Sequence, residues 1–319
     1  MDRRDFLTTM GAAGACLAGA GQARASGAGS TPGDGLGVLV DTTLCIGCRK
    51  CEWACNENSG LSRASLAAFE DQTVYASLRR PTPTSYTVVN RFGNQDDPVY
   101  VKAQCMHCLD PACSSACIVT AFARRDDGVV AYDPWRCMGC RYCMVACPFG
   151  VPAYEYDNAS APQVRKCTFC LERLDQGERP ACVAMCPVEC LTFGKRSSLL
   201  DLAHRKIARH PGRYVDHVYG EHEVGGTSWL YLSSTPFEQL GLPTLGNRPI
   251  PTVTETIQHS VFKNFVPPVA VAAFLGQIMW LTHRRDEVAA VEGGAERGRA
   301  DAAEEPSRRD RSEPERKEP

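Results

Sequence analysis

Sixteen of the eighteen cysteines in this 319-residue chain fall into four short runs, and closely spaced thiolates are the usual ligands of iron–sulfur clusters. The runs are Cys45, Cys48, Cys51 and Cys55 (run one), Cys105, Cys108, Cys113 and Cys117 (run two), Cys137, Cys140, Cys143 and Cys147 (run three), and Cys167, Cys170, Cys182 and Cys186 (run four). In runs one and three, a tight loop offers three thiolates and a fourth follows about one helical turn later, as in cubane clusters. The pattern predicts four [4Fe–4S] clusters, with iron bound through these cysteines, in a chain that carries electrons.

Zinc and disulfides are the alternatives for so many cysteines. Zinc sites pair two ligand knuckles across a gap, a spacing that run four has and that runs one and three lack. Disulfides suit an oxidising compartment, but adjacent C-x2-C pairs are poor candidates for structural bridges. Cys190 is left over, and we expect it to be a small buried residue.

Short strands and one-turn helices must position the cysteine loops. Val38 to Asp41 and Gly128 to Asp133 resemble strands that lead into runs one and three. Pro148 and Pro187 follow the last cysteine of runs three and four and end the helix there, whereas Ile118 takes that position in run two.

Glycine and cationic residues lie close to the predicted ligands. Gly47 and Gly139 stand inside C-x2-C pairs, where the backbone must approach the cluster without a Cβ. The flanking cations are Arg49, Lys50, Arg136, Arg141, Arg165 and Lys166. They either raise cluster reduction potentials or are ordinary solvated surface charges. His107, inside run two, is a hydrogen-bond donor or plain filler rather than a ligand.

The N-terminus predicts export. Residues 1–25 combine Arg3-Arg4, a mildly apolar Ala/Gly stretch and the cleavage site Ala23-Arg24-Ala25, which together are typical of a twin-arginine signal peptide. This route carries folded proteins, which suits clusters assembled in the cytoplasm. Cys16 leaves with the signal peptide unless it is a lipoprotein acceptor.

The C-terminal region predicts a membrane anchor at 264–283. Phe265 to Thr282 carries no charge, and as a helix it would span roughly 27 Å, close to the thickness of a bilayer core. His283-Arg284-Arg285 follows and places the C-terminus in the cytoplasm. Residues 286–319 are rich in Glu, Arg, Ala and Pro, and predict a disordered charged tail. His259 and His283 bracket the helix, but one helix cannot bring both to one haem iron.

The sequence also argues against several other functions. The net charge is −2 and no basic stripe exists, so nucleic acid is not an expected partner. No phosphate-binding loop, metalloprotease motif or serine elbow is present, and no catalytic residue is predicted.

The predicted middle elements are strands at Tyr86 to Asn90, Val99 to Lys102 and Ser228 to Ser233, and an amphipathic helix at Leu199 to His210.

At this point the motifs become recognisable. The four-run order, with C-M-H-C at 105–108 and C-R-Y-C-M-V-A-C-P at 140–148, resembles the four-cluster electron-transfer subunits of membrane-linked oxidoreductases. The twin-arginine pair, the C-terminal anchor and the stretch from Val218 to Leu240 are most similar to the periplasmic iron–sulfur subunit of hydrogenase-2-type uptake hydrogenases. The x11 gap of run four is more similar to the beta subunits of formate dehydrogenase, which partner a molybdopterin enzyme.

The resemblance implies an α+β fold of two tandem bacterial-ferredoxin-like folds with pseudo-twofold symmetry, plus a single C-terminal transmembrane helix. The implied domains are 36–60 with 160–196 (first fold), 61–95 (insert), 96–158 (second fold), and 197–260 (extension and linker). The implied ligand sets are Cys45, Cys48, Cys51 and Cys186 (set one); Cys55, Cys167, Cys170 and Cys182 (set two); Cys105, Cys108, Cys113 and Cys147 (set three); and Cys117, Cys137, Cys140 and Cys143 (set four).

The implied function is electron transfer at the periplasmic face of the inner membrane. The implied partners are a periplasmic catalytic subunit, a hydrogenase or a molybdopterin enzyme, and an integral membrane quinone-reactive subunit. Two other hypotheses stay open: a self-sufficient reductase with an open cluster position, and a zinc- or disulfide-stapled binding protein.

Overall fold

A computed structural model describes residues 34–252 and 272–285. The chain divides into two units, Met1–Val253 and Thr254–Pro319, and all the cysteine runs belong to the first. The predicted signal peptide, the first part of the predicted membrane span and the predicted tail lie outside the described residues.

A three-stranded sheet forms the centre of the first unit. Strand β1 (Leu36–Asp41) pairs antiparallel with β8 (Leu191–Lys195) and parallel with β9 (Trp229–Leu232). Because β1 is flanked on both edges and covered on both faces, its residues from Gly37 onward are buried. The β1–β8 pairing joins the segment before run one to the segment after run four.

Two apolar clusters cover the faces of this sheet. On one face, Leu39, Leu230 and Leu232 pack against Leu199 and Ala203 of helix α6 (Arg196–Arg209). On the other face, the core includes Val38, Val40, Trp229 and Tyr231 together with several of the cysteines. The cysteine loops therefore lie against the sheet's second face.

The remaining elements are short. The strands are β2 (Val88–Gly93) with β3 (Pro98–Ala103), β4 (Phe122–Arg124) with β5 (Val130–Tyr132), and β6 (Ala153–Tyr154) with β7 (Val164–Arg165), each pair antiparallel. The helices are α1 (Lys50–Asn58), α2 (Ala112–Ser115), α3 (Tyr142–Ala146), α4 (Leu171–Asp175) and α5 (Ala181–Ala184). Single 3₁₀ turns occupy Leu66–Phe69, Gln72–Ala76, Glu223–Gly225 and Phe237–Leu240.

Helix packing relates the runs in pairs. Helix α1, which carries the end of run one, packs on α5, which carries part of run four; α2 of run two packs on α3 of run three. The mixed helix and strand content fits the α+β class expected from the resemblance. The pseudo-twofold symmetry and the domain boundaries stay predictions.

The two largest differences from the predicted secondary structure are shifts of three residues at one end of an element. The strand expected at Tyr86 to Asn90 begins at Val88 and continues to Gly93, where a positive φ of 78° allows the turn into β3. The helix expected from Leu199 begins at Arg196, because the chain leaves β8 directly into it.

In the second unit, residues 272–285 form a helix whose side chains are mostly exposed. The Arg284 guanidinium lies 5.2 Å from the ring centroid of Trp280. Within the two described stretches, no helix combines the length and apolar character needed to cross a bilayer. The predicted span began at 264, so its residues 264–271 lie outside the described part of the chain.

Candidate iron–sulfur sites

The loops of runs one and three repeat the same backbone conformation. Gly47 and Arg49 have φ of 67° and 58°, and Gly139 and Arg141 have φ of 74° and 60° at the equivalent positions. Arg49 and Arg141 are also the residues that precede helices α1 and α3. Alternation of left-handed with other residues lets successive backbone N–H groups face one anion.

Glycine is required at Gly47 for a second reason. A Cβ at this position would overlap the ring of Tyr100, and the Tyr75 hydroxyl donates a 2.6 Å hydrogen bond to the Gly47 carbonyl. At Gly139, a Cβ would lie 3.1 Å from the Tyr154 hydroxyl oxygen, a far milder contact. The positive φ of Gly47 and the neighbouring Tyr100 ring are therefore two further reasons for glycine there, besides the close approach of the backbone to the cluster that the sequence predicts.

The cysteines of set one line a single cavity. Its wall includes Cys45, Cys48 and Cys51 from run one and Cys186 from run four. Lys102 and Cys190 also line it. Run one and run four thus meet at one place, as the resemblance implies.

The cysteines of set two form a buried group. Cys55 interacts electrostatically with Cys170 and Cys182, and Cys167 interacts with Cys55 and Cys170. Burial raises the pKa of Cys55 to about 12 and also raises the pKa of Cys167 and Cys170. This set takes three cysteines from run four and one from run one.

Sets three and four join runs two and three in the same way. Cys108 interacts with Cys105, Cys113 and Cys147, and burial raises its pKa. In set four, Cys143 interacts electrostatically with Cys137, Cys117 and Cys140. Burial raises the pKa of Cys143 to about 11, whereas Cys140 is exposed. Each group contains three cysteines of one run and one of the other.

The donors suit iron–sulfur clusters. Sulfur ligands in groups of four match an all-cysteine cubane. Buried thiols with raised pKa are protonated when free, and iron is a cation that can hold them as thiolates. In the described residues, no group of three or more Cys, His, Asp or Glu side chains has the arrangement that would hold one metal ion. The ligand assignment stays a prediction.

Several known proteins are similar in sequence to this chain over most of its length. Residues 97–196 match the 4Fe-4S dicluster domain family, a range that contains runs two, three and four. A protein of Nitratidesulfovibrio vulgaris is 50% identical over 302 residues, covering 92% of this chain and 80% of its own. The hydrogenase-2 operon protein HybA of Escherichia coli O157:H7 is 36% identical over 310 residues, covering 86% of this chain and 94% of its own.

A second kind of relative is the iron–sulfur subunit of the nitrate-inducible formate dehydrogenase of Escherichia coli K12. It is 31% identical over 245 residues, covering 74% of this chain and 80% of its own. This chain belongs to the family of HybA and the formate dehydrogenase iron–sulfur subunits. Membership supports iron–sulfur clusters as the cofactor of the cysteine runs.

Cys190 has a position in this iron–sulfur subunit that its sequence spacing did not reveal. It is buried, as predicted, but its Sγ lies 3.4 Å from Sγ of Cys186. The Cys190 thiol can donate its single hydrogen to Cys186 or to Cys45, and hydrogen bonding to it lowers the pKa of Cys186 to about 6 and also lowers the pKa of Cys45. Set one therefore has a fifth thiol beside it.

His107 forms hydrogen bonds on both sides of its ring. Its Nδ1 accepts a 3.0 Å hydrogen bond from the Val130 N–H, so the proton must be on Nε2, which lies 3.1 Å from the Cys167 carbonyl oxygen. Burial, followed by the nearby Lys166 charge, holds the pKa of His107 well below its usual value, which keeps the ring neutral. His107 thus connects run two, β5 and run four, which supports the hydrogen-bonding role expected of it.

The six flanking cations divide into two groups. Arg49 and Lys166 are buried: Arg49 forms a 3.1 Å ion pair with Glu52, and Lys166 donates to the carbonyl of Val130 at 2.6 Å and to that of Cys167 at 3.1 Å. The other four, Lys50, Arg136, Arg141 and Arg165, are partly or fully exposed. The four exposed cations are therefore interpreted as surface charges, and an effect on cluster potentials is expected only of Arg49 and Lys166.

Lys102 is the functional candidate that the sequence analysis missed. It lies on β3, three residues before Cys105 of run two, yet it is 3% exposed and lines the cavity of set one, which is formed by runs one and four. Its place beside Cys105 is visible in the sequence, but only the packing of the β2–β3 hairpin brings it to the cavity of runs one and four.

Proposed function

We propose that this chain is the electron-transfer subunit of a hydrogenase complex and holds four [4Fe–4S] clusters through sets one to four. The observation that carries the proposal is the arrangement of sixteen cysteines in four groups, each built from two runs. When bound, iron–sulfur clusters accept and release single electrons. No residue of the chain is assigned to breaking a substrate bond.

The protein's part is to hold, space and shield these groups. The β1–β8 pairing fixes run one against run four, and the α2–α3 contact fixes run two against run three. Five of the sixteen cysteines, Cys55, Cys143, Cys167, Cys170 and Cys182, are buried and ten more are partly buried, which limits the access of water to the sulfur ligands. Cys140 of set four is exposed, which leaves this group open to a redox partner.

The location and the membrane partner are further parts of the proposal. The twin-arginine pattern in residues 1–25 supports export, and the uncharged stretch at 264–283 supports an anchor in the inner membrane. The cluster domain would then face the periplasm. Its electrons would pass between a periplasmic catalytic subunit and a quinone-reactive membrane subunit.

Formate dehydrogenase is the second candidate for the complex. The x11 gap of run four favours it, and a formate dehydrogenase subunit is among the relatives. HybA covers 86% of this chain against 74% for the formate dehydrogenase subunit, and this longer match favours hydrogenase. A complex isolated through a tag on this chain is therefore expected to reduce a dye with hydrogen and not with formate; the reverse result would assign it to formate dehydrogenase.

Iron and acid-labile sulfide content tests the cofactor directly. Anaerobically purified protein should contain about sixteen iron atoms and about sixteen labile sulfides per chain, as four cubanes require. After dithionite reduction, it should give the EPR signals of magnetically coupled cubanes. Zinc in place of iron, or iron for only two clusters, would overturn the four-cluster assignment. It would revive the zinc- or disulfide-stapled binding protein as an interpretation.

A further inference from the structure

Lys102 places an ammonium group in the interior of the first unit. Its side chain extends from β3, is 3% exposed, and donates a 2.9 Å hydrogen bond to Oε1 of Gln104. The Nζ also lies 4.5 Å from the ring centroid of the buried Trp229. The aromatic face attracts the cation, but one neutral acceptor and one ring do not replace the hydration of an ammonium group.

The position of this ammonium is fixed by a closed chain of hydrogen bonds. Gln104 Nε2 donates to the Tyr231 hydroxyl at 2.6 Å, and that hydroxyl donates to the Lys102 carbonyl at 2.8 Å. Gln104 and Tyr231 are both buried. The Gln104 amide is thereby oriented with its oxygen toward Lys102, and β3 is tied to β9.

No carboxylate balances the charge within the described residues, where Lys102 forms no ion pair with an acidic side chain. The buried Glu52 carboxylate is already shared by Arg49, Arg79 and the Val89 N–H. The groups that interact electrostatically with Lys102 are instead thiols, which become negative when iron holds them as thiolates. They are Cys51, Cys55, Cys167 and Cys182.

These four cysteines belong to two different sets. Cys51 is a member of set one, whose cavity Lys102 lines, and Cys55, Cys167 and Cys182 are members of set two. A cation between two groups of thiolates is stabilised by both, which offsets the cost of burying it. It also favours the reduced form of a cluster, since an added electron is attracted to it.

We propose that Lys102 is the shared countercharge of sets one and two and raises the reduction potentials of both clusters. This rests on the proposed function, because it assumes that clusters occupy these sets. Lys102 binds neither cluster; its positive charge acts on each cluster from beside the cysteine ligands. Cys108, Cys113 and Cys147 of set three and Cys143 of set four do not have Lys102 among their principal electrostatic partners, so the potentials of these two sets are expected to be independent of it.

Redox titration of the full chain, followed by EPR, tests this proposal. Lys102→Met is expected to lower the equilibrium constant for reduction of two of the four clusters about tenfold or more. For one electron, this is a fall in reduction potential of about 59 mV or more. The other two potentials should stay unchanged. Lys102→Arg, which keeps the charge, should restore most of the shift.

Two controls separate charge from structure. Lys195→Met removes the same charge from an exposed side chain and should shift no potential. Gln104→Leu breaks the hydrogen-bond chain but leaves the ammonium, so the two potentials should not fall as they do in Lys102→Met. Unchanged potentials in Lys102→Met, an equal shift of all four clusters, or an equal fall in Gln104→Leu would overturn the proposal.

Iron and labile sulfide are measured on the same samples. Wild type without four clusters would contradict the proposed function, whereas full clusters with unshifted potentials would contradict only the role of Lys102. If Lys102→Met does not take up iron, Lys102→Gln replaces it as the neutral variant. Loss of two clusters from both neutral variants, with all four retained in Lys102→Arg, would also support the countercharge.

Discussion

The sulfur atoms of Cys186 and Cys190 lie 3.4 Å apart, although only Cys186 belongs to a cysteine run. Cys190 is buried beside the cavity of set one and directs its thiol toward both Cys186 and Cys45. In the proposed ligand set, Cys190 is a hydrogen-bond donor to coordinating sulfur and not a ligand.

Substitution of these two cysteines distinguishes donor from ligand. Cys190→Ala should retain all the iron of the wild type, because set one keeps its four ligands. The double variant Cys186→Ala/Cys190→Ala should lose about four iron atoms per chain, one cubane, since no thiol remains at this corner. The second substitution is needed because Cys190 could replace a missing Cys186. Iron loss in Cys190→Ala equal to that of the double variant would make Cys190 the ligand.

Gly47 and Gly139 are expected to differ in their tolerance of a side chain. Gly47→Ala places a Cβ against the Tyr100 ring at a φ of 67°, so it should disturb set one and reduce the iron content by about one cluster. Gly139→Ala carries a similar conformational strain at φ 74° but meets only the flexible Tyr154 hydroxyl, at 3.1 Å. It serves as the matched control and should retain more iron. Equal iron contents would show that Tyr100 does not decide the difference.

The sequence predicts the parts of these sites that are local. Cysteine spacing specifies the loops and indicates the cofactor, because runs one and three each present three thiols within seven residues. The pairing of run one with run four followed only from the family resemblance, since more than a hundred residues separate them. Lys102 and the second role of Cys190 depend on how β3 and β8 pack, and no periodicity or motif records that packing.

Glu52 is a second example of a residue whose role comes from packing. It is 1% exposed on α1 and accepts hydrogen bonds from Arg49 at 3.1 Å, from Arg79 at 2.6 Å and from the Val89 N–H at 2.6 Å. Its carboxylate thereby attaches the insert and β2 to the helix that carries Cys51 and Cys55.

Neutralising Glu52 should destabilise this region strongly. Glu52→Gln leaves two arginines without their shared countercharge, and breaking a buried ion pair costs about 3–5 kcal/mol. We expect a lower Tm and faster loss of cluster absorbance in urea under anaerobic conditions. Glu57→Gln, on the exposed side of the same helix, should change neither quantity. Similar behaviour of the two variants would mean that the Glu52 interactions do not support the cluster region.

His107 provides the test of how run two is held against run four. Its neutral ring accepts from Val130 N–H and donates to the Cys167 carbonyl, and its backbone has a φ of 46°, which histidine and asparagine tolerate better than aliphatic residues. His107→Leu leaves the buried Val130 N–H unpaired, at about 1–3 kcal/mol, and adds backbone strain. It also removes one of the two hydrogen bonds to the Cys167 carbonyl, which keeps the one from Lys166. His107→Asn tolerates the backbone conformation but is too short to reach both partners.

Both His107 variants should therefore lose cluster absorbance in urea faster than wild type, His107→Leu most of all. Because His107 joins the loop of set three to the Cys167 backbone of set two, EPR during this loss should show these two clusters disappearing before set four. If His107→Asn matches wild type while His107→Leu does not, backbone strain is the cause and the bridge is dispensable. If set four is lost first in both variants, His107 does not hold the two halves together.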